Sequence, residues 1–186
     1  MSTTQQLRTK RLHLRRIVST DAALLWTIWR DQELIQYTYH RYTPELVDSE
    51  ERVRQILTWY GSRPESQGPF LAFTTEGDFV GICGLDFKSA ELQEYDVYYL
   101  IVGKQQGKGY ATEVTRALID LGFEELAAER IMAEVVDVNE ASSQVLTKVG
   151  MLLEGRMRRK FYRGKAFHDL LIYAILRSDW LGIRSV

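Results

Sequence analysis

The chain has 186 residues, 45% of them hydrophobic and 26% charged, with a formal net charge of -1. That length suits one domain, residues 1–186, with a core large enough to stand without disulfide or metal staples. The near-neutral balance excludes a global electrostatic drive toward nucleic acid, and the lone Cys83 excludes an internal disulfide.

The start, Ser2 to Gln6, is polar and has no apolar stretch of the signal-peptide kind. No segment approaches the ~20 apolar residues that span a bilayer, so a cytoplasmic protein with no membrane partner is expected. Residues 7–18 alternate Leu12 and Leu14 with Arg11, His13 and Arg15, the pattern of a strand. Asp21 is placed to cap a helix carrying Leu24, Leu25, Ile28 and Trp29. A second helix fits 44–59, where Val53, Ile56, Leu57 and Tyr60 recur at helical steps. Gly61 to Pro69 reads as a loop. Two strands, 70–75 and 79–87, flank Glu76-Gly77-Asp78 and predict a hairpin. A third strand, 95–102, is rich in β-branched and aromatic residues.

A helix over 110–124 buries Ala111, Val114, Thr115, Leu118 and Leu121 on one stripe. A strand follows at 130–136, then a helix at 140–149 that Gly150 ends as a C-cap. Strands at 151–161 and 166–177 close the chain around a turn at Arg163-Gly164-Lys165. This order predicts a mixed α/β fold: a central, mostly antiparallel sheet of about seven strands flanked by about four helices.

The chemistry concentrates at Gln106-Gly107-Lys108-Gly109-Tyr110-Ala111, between a strand and a helix. Glycines let the backbone curl and approach a ligand closely. Successive N–H groups at a helix start, with the helix dipole behind them, suit a phosphate or pyrophosphate. A Walker loop does not fit, because only three residues separate Gly103 from Gly107 and Gly109 stands where Ser or Thr should follow Lys108. A dinucleotide loop starts at Gly107-Lys108-Gly109, but Thr112 breaks it. From the glycines alone, a tight turn without a ligand fits equally well.

Gln106-x-x-Gly109-x-Ala111 resembles the Q/R-x-x-G-x-G/A acetyl-CoA signature of the GCN5-related N-acetyltransferases (GNAT). The resemblance runs through nearly the whole chain. Leu7-x-Thr9-x-Arg11-Leu12-x-Leu14-Arg15, Gly107 to Glu113, Asn139-x-x-Ser142 with Lys148-x-Gly150, and Glu154-Gly155-x-x-Arg158 with Gly164-Lys165 and Asp169 look like the RimJ/RimL branch. The resemblance implies that the strand at 95–102 and the strand at 130–136 are parallel neighbours that splay around the pantetheine arm of acetyl-CoA. Main-chain groups of Ile101 and Val102 would meet the arm. Gln106, Gly107, Lys108, Gly109, Tyr110, Ala111 and Thr112 would hold the pyrophosphate, and Asn139 and Ser142 would line the far side. Asn139 is equally well placed as a helix cap.

The implied reaction is attack of an amine on the thioester. Many members carry a general-acid tyrosine seven residues after the helix-starting Asn, but here that residue is Leu146. Ser142, on the same helix face, is the remaining hydroxyl. For the base, alternation puts Asp96, Tyr98 and Leu100 on one strand face and Val97, Tyr99 and Ile101 on the other. If one face meets a packed helix, the other is open to substrate, so Asp96 acting through water is the first choice, with Glu94 and Asp86 as competitors. No metal is expected. The basic set Arg156, Arg158, Arg159, Lys160, Arg163 and Lys165 reads as a solvated face. Tyr37, Tyr39 and Tyr42 are pocket candidates. The acceptor is a protein N-terminal amine or a small-molecule amine, and a homodimer is in keeping with such families. The rival reading is an acyl-CoA-binding module that has lost its chemistry.

Overall fold

The computed structural model describes residues 6–63 and 65–184; Ser2 to Gln5 of the polar start and Pro64 of the expected loop lie outside them. The expected strand over 7–18 is divided into β1 (Gln6–Arg8) and β2 (Leu12–Arg16), a hairpin with Leu7 opposite Leu14. The break has a local cause. The Thr9 N–H donates to the Leu12 carbonyl at 2.9 Å, and the Thr9 hydroxyl accepts from the Leu12 N–H at 3.0 Å. A side-chain hydroxyl that binds nearby backbone closes a turn in this way.

Helices α1 (Ala22–Trp29), α2 (Gln32–Ile35) and α3 (Leu46–Gly61) follow. Asp21 precedes α1 without capping it; its carboxylate takes the Val18 N–H at 2.8 Å and pairs with Arg15 at 2.7 Å. The short α2 was not expected. Asp31 caps it by accepting from the Leu34 N–H at 3.0 Å. Strands β3 (Gln67–Thr74), β4 (Phe79–Ser89) and β5 (Glu94–Ile101) come next, then α4 (Tyr110–Glu124) and β6 (Arg130–Val136). The chain ends through α5 (Glu140–Lys148), β7 (Leu152–Arg163), β8 (Ala166–Leu176) and α6 (Arg177–Arg184). The unexpected α6 is anchored by Trp180, whose indole N–H donates to Asp120 at 2.7 Å and whose ring packs on Phe123.

One eight-stranded sheet, ordered β1-β2-β3-β4-β5-β6-β8-β7, runs through the molecule. Every pairing is antiparallel except β5 with β6. The α/β class and the mostly antiparallel sheet match the sequence reading, with the divided first strand, α2 and α6 adding to the expected count. Helices cover both sheet faces. On one, Val114, Leu118 and Leu121 of α4 meet Leu85, Val97 and Ile131. On the other, Leu25, Ile28 and Trp29 of α1 and Val53 of α3 meet Leu71, Ile82 and Leu100. Among the described residues, no helix is long and apolar enough to cross a membrane.

Candidate active site

β5 and β6 pair only over Glu94–Arg130, Tyr95–Ile131 and Asp96–Met132. Beyond Asp96 the strands part. β4 still pairs with β5 up to Ile101, and β8 still pairs with β6 up to Val136. The Val102 N–H donates to the Val80 carbonyl at 2.9 Å. Antiparallel pairs alternate between bonded and unbonded, so with Ile101 opposite Gly81, the main-chain groups of Ile101 and Tyr99 turn away from β4 into the gap. Val102 therefore faces β4. Its N–H is used there and its carbonyl accepts from Gln105, so the expected pair of main-chain contacts reduces to Ile101. The Ile101 carbonyl itself accepts from the Gln106 side chain at 2.9 Å, leaving its N–H toward the gap.

The loop after β5 curls as its glycines require. Gly107 has φ 73° and Gly109 φ 82°, the left-handed region. The first helical N–H groups, at Tyr110, Ala111 and Thr112, have no carbonyl a turn before them within the helix. The curl is held from outside. Glu113 accepts from the Thr9 hydroxyl at 2.6 Å and from the Arg11 N–H at 2.8 Å, and pairs with the Arg11 guanidinium at 2.6 Å. Arg11 also donates to the Lys108 carbonyl at 3.0 Å. Burial pushes the Glu113 carboxyl up, but these donors together hold it below its ordinary value. The Lys108 ammonium turns inward to Gln105 at 2.8 Å.

A cavity of about 790 Å³ joins the gap to this loop. Ile101, Gln106, Gly107, Gly109, Tyr110, Ala111, Thr112, Asn139 and Ser142 are on its wall; Val102, Lys108 and Asp96 are not. Asn139 caps α5, its side-chain oxygen accepting from the Ser142 N–H at 3.2 Å. The Ser142 hydroxyl lies 2.8 Å from the hydroxyl of Tyr99, a cavity residue the sequence reading left unassigned. Burial pushes the Tyr99 phenol up to about 12. Leu146 is fully buried in the core. Of the tyrosines proposed for a pocket, Tyr37 lines the cavity with Thr38, while Tyr39 donates to Glu134 at 3.0 Å.

The expectation of an open sheet face at Asp96 does not hold, because α1 and α3 pack on that face over Leu100 and bring Tyr60 to Tyr98. Asp96 stands at the closed end of the gap, opposite Asp86, and pairs with Lys88 at 3.2 Å. Burial pushes its carboxyl up to about 6; Lys88 opposes this, and Glu134 and Asp86 add to it. The competitors are engaged. Asp86 accepts from the Tyr60 hydroxyl at 2.5 Å, and Glu94 pairs with Arg130 at 2.8 Å.

A glycine loop at one end of a strand gap, with Asn139 and Ser142 on the cavity wall, is the arrangement that the sequence resemblance implies. The family model of the acetyltransferase (GNAT) domain matches residues 11–152. The chain belongs to the GNAT acetyltransferases. It is therefore an N-acetyltransferase that uses acetyl-CoA. The uncharacterized N-acetyltransferase YoaA of Bacillus subtilis is 28% identical over 174 residues, covering 92% of this chain and 96% of YoaA. Among solved structures, spermidine N-acetyltransferase from Vibrio cholerae, in complex with CoA and spermine, matches with a TM-score of 0.82 at 17% identity, covering 93% of this chain and 99% of that one. RimL, the ribosomal L7/L12 alpha-N-protein acetyltransferase in complex with coenzyme A, matches with a TM-score of 0.80 at 19% identity, covering 92% and 97%. Both share the fold of this GNAT chain.

The basic hairpin of the GNAT chain is less free than its sequence suggested. Arg156 pairs with Asp169 at 2.6 Å and Asp137 at 2.9 Å. Arg163 donates to the Thr38 carbonyl at 2.7 Å and the His40 carbonyl at 3.0 Å, tying the hairpin to the segment beside the cavity. His40 is half-buried there; desolvation, then Arg52 and Arg163, push its imidazole down to about 4.

Proposed function

We propose that this chain moves the acetyl group of acetyl-CoA to an amine acceptor by direct attack on the thioester, with the cofactor arm in the gap between β5 and β6. The observation that carries this reading is one cavity containing both the unpaired edge of β5 and the glycine loop at the start of α4. Its ~790 Å³ lies in the usual range for small-molecule sites. The Ile101 N–H is the main-chain donor for the arm. The N–H groups from Gly107 to Thr112, with the dipole of α4, suit the pyrophosphate, and Lys148 adds a cation on the same wall. Asn139 serves as the α5 cap and as a polar wall beside the arm.

Acetyl-CoA supplies the thioester carbonyl that the acceptor nitrogen attacks. The chain has two tasks beyond binding it. An alkylamine is mostly protonated near neutral pH and must lose a proton. Asp96, at the closed end of the gap, is the base in this reading, acting through water, since a carboxyl near 6 suits the task better than an ordinary aspartate. Ser142 attends the leaving sulfur from the opposite face of β5. Protein N-termini and small amines both remain acceptors; Asp31 and Glu33 on the wall favour a cationic one.

The test combines calorimetric titration of CoA with a thiol-release assay over peptide N-termini and polyamines. Wild type should bind CoA and turn over at least one class. Gly109→Asp forces a side chain onto the left-handed turn at φ 82° and sets a carboxylate against Arg11, which distorts the loop and should abolish CoA binding. Unchanged affinity would refute the loop assignment. Tight binding with no turnover on any acceptor would instead support an acyl-CoA-binding module.

A further inference from the structure

In this chain α5 brings no phenol to the cavity, because Leu146 points into the core and is fully buried. β5 brings one from across the gap. Tyr99 and Ser142 both line the cavity, with their hydroxyl oxygens 2.8 Å apart. The Tyr99 hydroxyl also lies 3.3 Å from the Ser142 carbonyl, and in this assignment the shorter contact, to the hydroxyl, takes its proton. A phenol is the stronger acid and the better donor, and an aliphatic hydroxyl oxygen is a good acceptor. With Tyr99 donating, the single hydroxyl proton of Ser142 is released toward the cavity. The Ser142 main chain is fixed as well, since its N–H donates to the Asn139 side chain at 3.2 Å. An arm anchored at 107–112 and running back along β5 passes Ile101 first and Tyr99 next, before the gap closes at Asp96. The thioester end therefore falls beside this hydroxyl pair.

We propose that Tyr99 is a positioning residue for acetyl transfer, holding the Ser142 hydroxyl so that it donates a hydrogen bond to the departing sulfur. The assignment rests on the transferase reading above. In the step, the acceptor nitrogen forms the C–N bond, and the C–S bond breaks with its electron pair staying on sulfur. The surplus proton of the amine passes to Asp96 or to water, and the released thiolate takes one proton from solvent. Tyr99 and Ser142 keep theirs. A thiol has a pKa of about 8.5, so moving a proton to sulfur from a phenol held near 12 runs uphill, whereas lending a hydrogen bond does not.

Steady-state kinetics, CoA calorimetry and thermal melting of Tyr99→Phe, Ser142→Ala and the double variant test this. Tyr99→Phe keeps the ring that packs on the core. Each single variant should lower kcat by about 10- to 100-fold, less than the loss of a full oxyanion donor, since sulfur accepts hydrogen bonds weakly. CoA affinity should stay at the wild-type value, and the melting temperature should fall by no more than the few degrees that about 1 kcal/mol of lost hydrogen bond is worth. The double variant should be no slower than Ser142→Ala alone, because Tyr99 acts through Ser142. Full kcat in Tyr99→Phe, multiplying defects in the double variant, or a kcat loss matched by weaker CoA binding would each overturn the assignment. Wild-type protein that acetylates no acceptor would overturn the transferase reading, and this assignment with it.

Discussion

Replacing Asp96 by Asn should make the protein more stable and less active at once. Burial, with Glu134 and Asp86 nearby, raises the Asp96 carboxyl from 3.8 to about 6 against the pull of Lys88. That rise corresponds to about 3 kcal/mol between the protonation states. The sign follows from proton counts. Below pH ~4 the carboxyl is protonated in both the folded and unfolded chain, so it contributes nothing. Between about 4 and 6 the unfolded chain ionises first, and stability falls as pH rises. Above 6 the whole penalty is present.

The Asp96→Asn substitution removes the charge and keeps the shape. Lys88 loses its partner at 3.2 Å, but its side chain is 45% exposed and regains water, so only part of the gain is cancelled. The expected net gain at pH 7.5 is about 1–2 kcal/mol, shrinking toward zero near pH 4. Urea denaturation of both proteins at the two pH values measures it. The same substitution should lower kcat by about 100-fold or more and remove the limb near pH 6 from the pH–rate profile. A variant less stable than wild type at pH 7.5 would refute the electrostatic account. An unchanged pH–rate profile would refute the role as base.

His40 gives the opposite pH dependence. Its imidazole accepts from Arg52 at 2.8 Å and is pushed down to about 4, so it adds stability at neutral pH that is lost as pH falls from about 6.5 to 4. The urea midpoint of wild type minus that of His40→Gln should shrink over that window, by up to about 3 kcal/mol in free energy. A constant difference would refute it. Glu113→Gln should destabilise by about 1–3 kcal/mol at pH 7, since it weakens charge-assisted bonds to Thr9 and Arg11. The depressed Glu113 carboxyl makes that loss largest above the unfolded pKa and smaller as pH falls through the folded value, which denaturation at pH 7 and pH 3 would show.

Local signals were the legible part of the fold. The α4 bounds and the β6 bounds match the expectation residue for residue, because a helix starting at a glycine loop and a short β-branched strand each carry their own signal. The break between β1 and β2 was not legible. The polar run from Arg8 to Arg11 holds no Gly or Pro to mark a turn, and the turn depends on the Thr9 hydroxyl and on Glu113, far along the chain. Helix α6 was missed for a similar reason. No Gly or Pro separates it from β8, and its anchor is a tertiary contact between Trp180 and Asp120.

The same division runs through the site. The proposed phosphate end is built from backbone at consecutive positions, so the glycine loop together with the motif residues around it points to it, where the glycines alone do not. Its reacting end is assembled from side chains on β5, α5 and the segment around Tyr37, and no spacing connects these. Alternation placed Tyr99 opposite Asp96 in facing, yet gave no reason to prefer a tyrosine in a run that also holds Tyr95 and Tyr98. Facing separates Tyr99 from Tyr98, and the parting of β5 from β6 beyond Asp96 separates it from Tyr95, which pairs with Ile131. Tyr98 faces Tyr60 and Asp86 under α3, whereas Tyr99 faces α5 across the gap. A hydroxyl absent from α5 at Leu146 is thus supplied by a strand that the sheet leaves half unpaired. The opening proposed for the cofactor arm also turns a core aromatic into a cavity residue, so a phenol reaches the cavity from β5 although Leu146 brings none from α5.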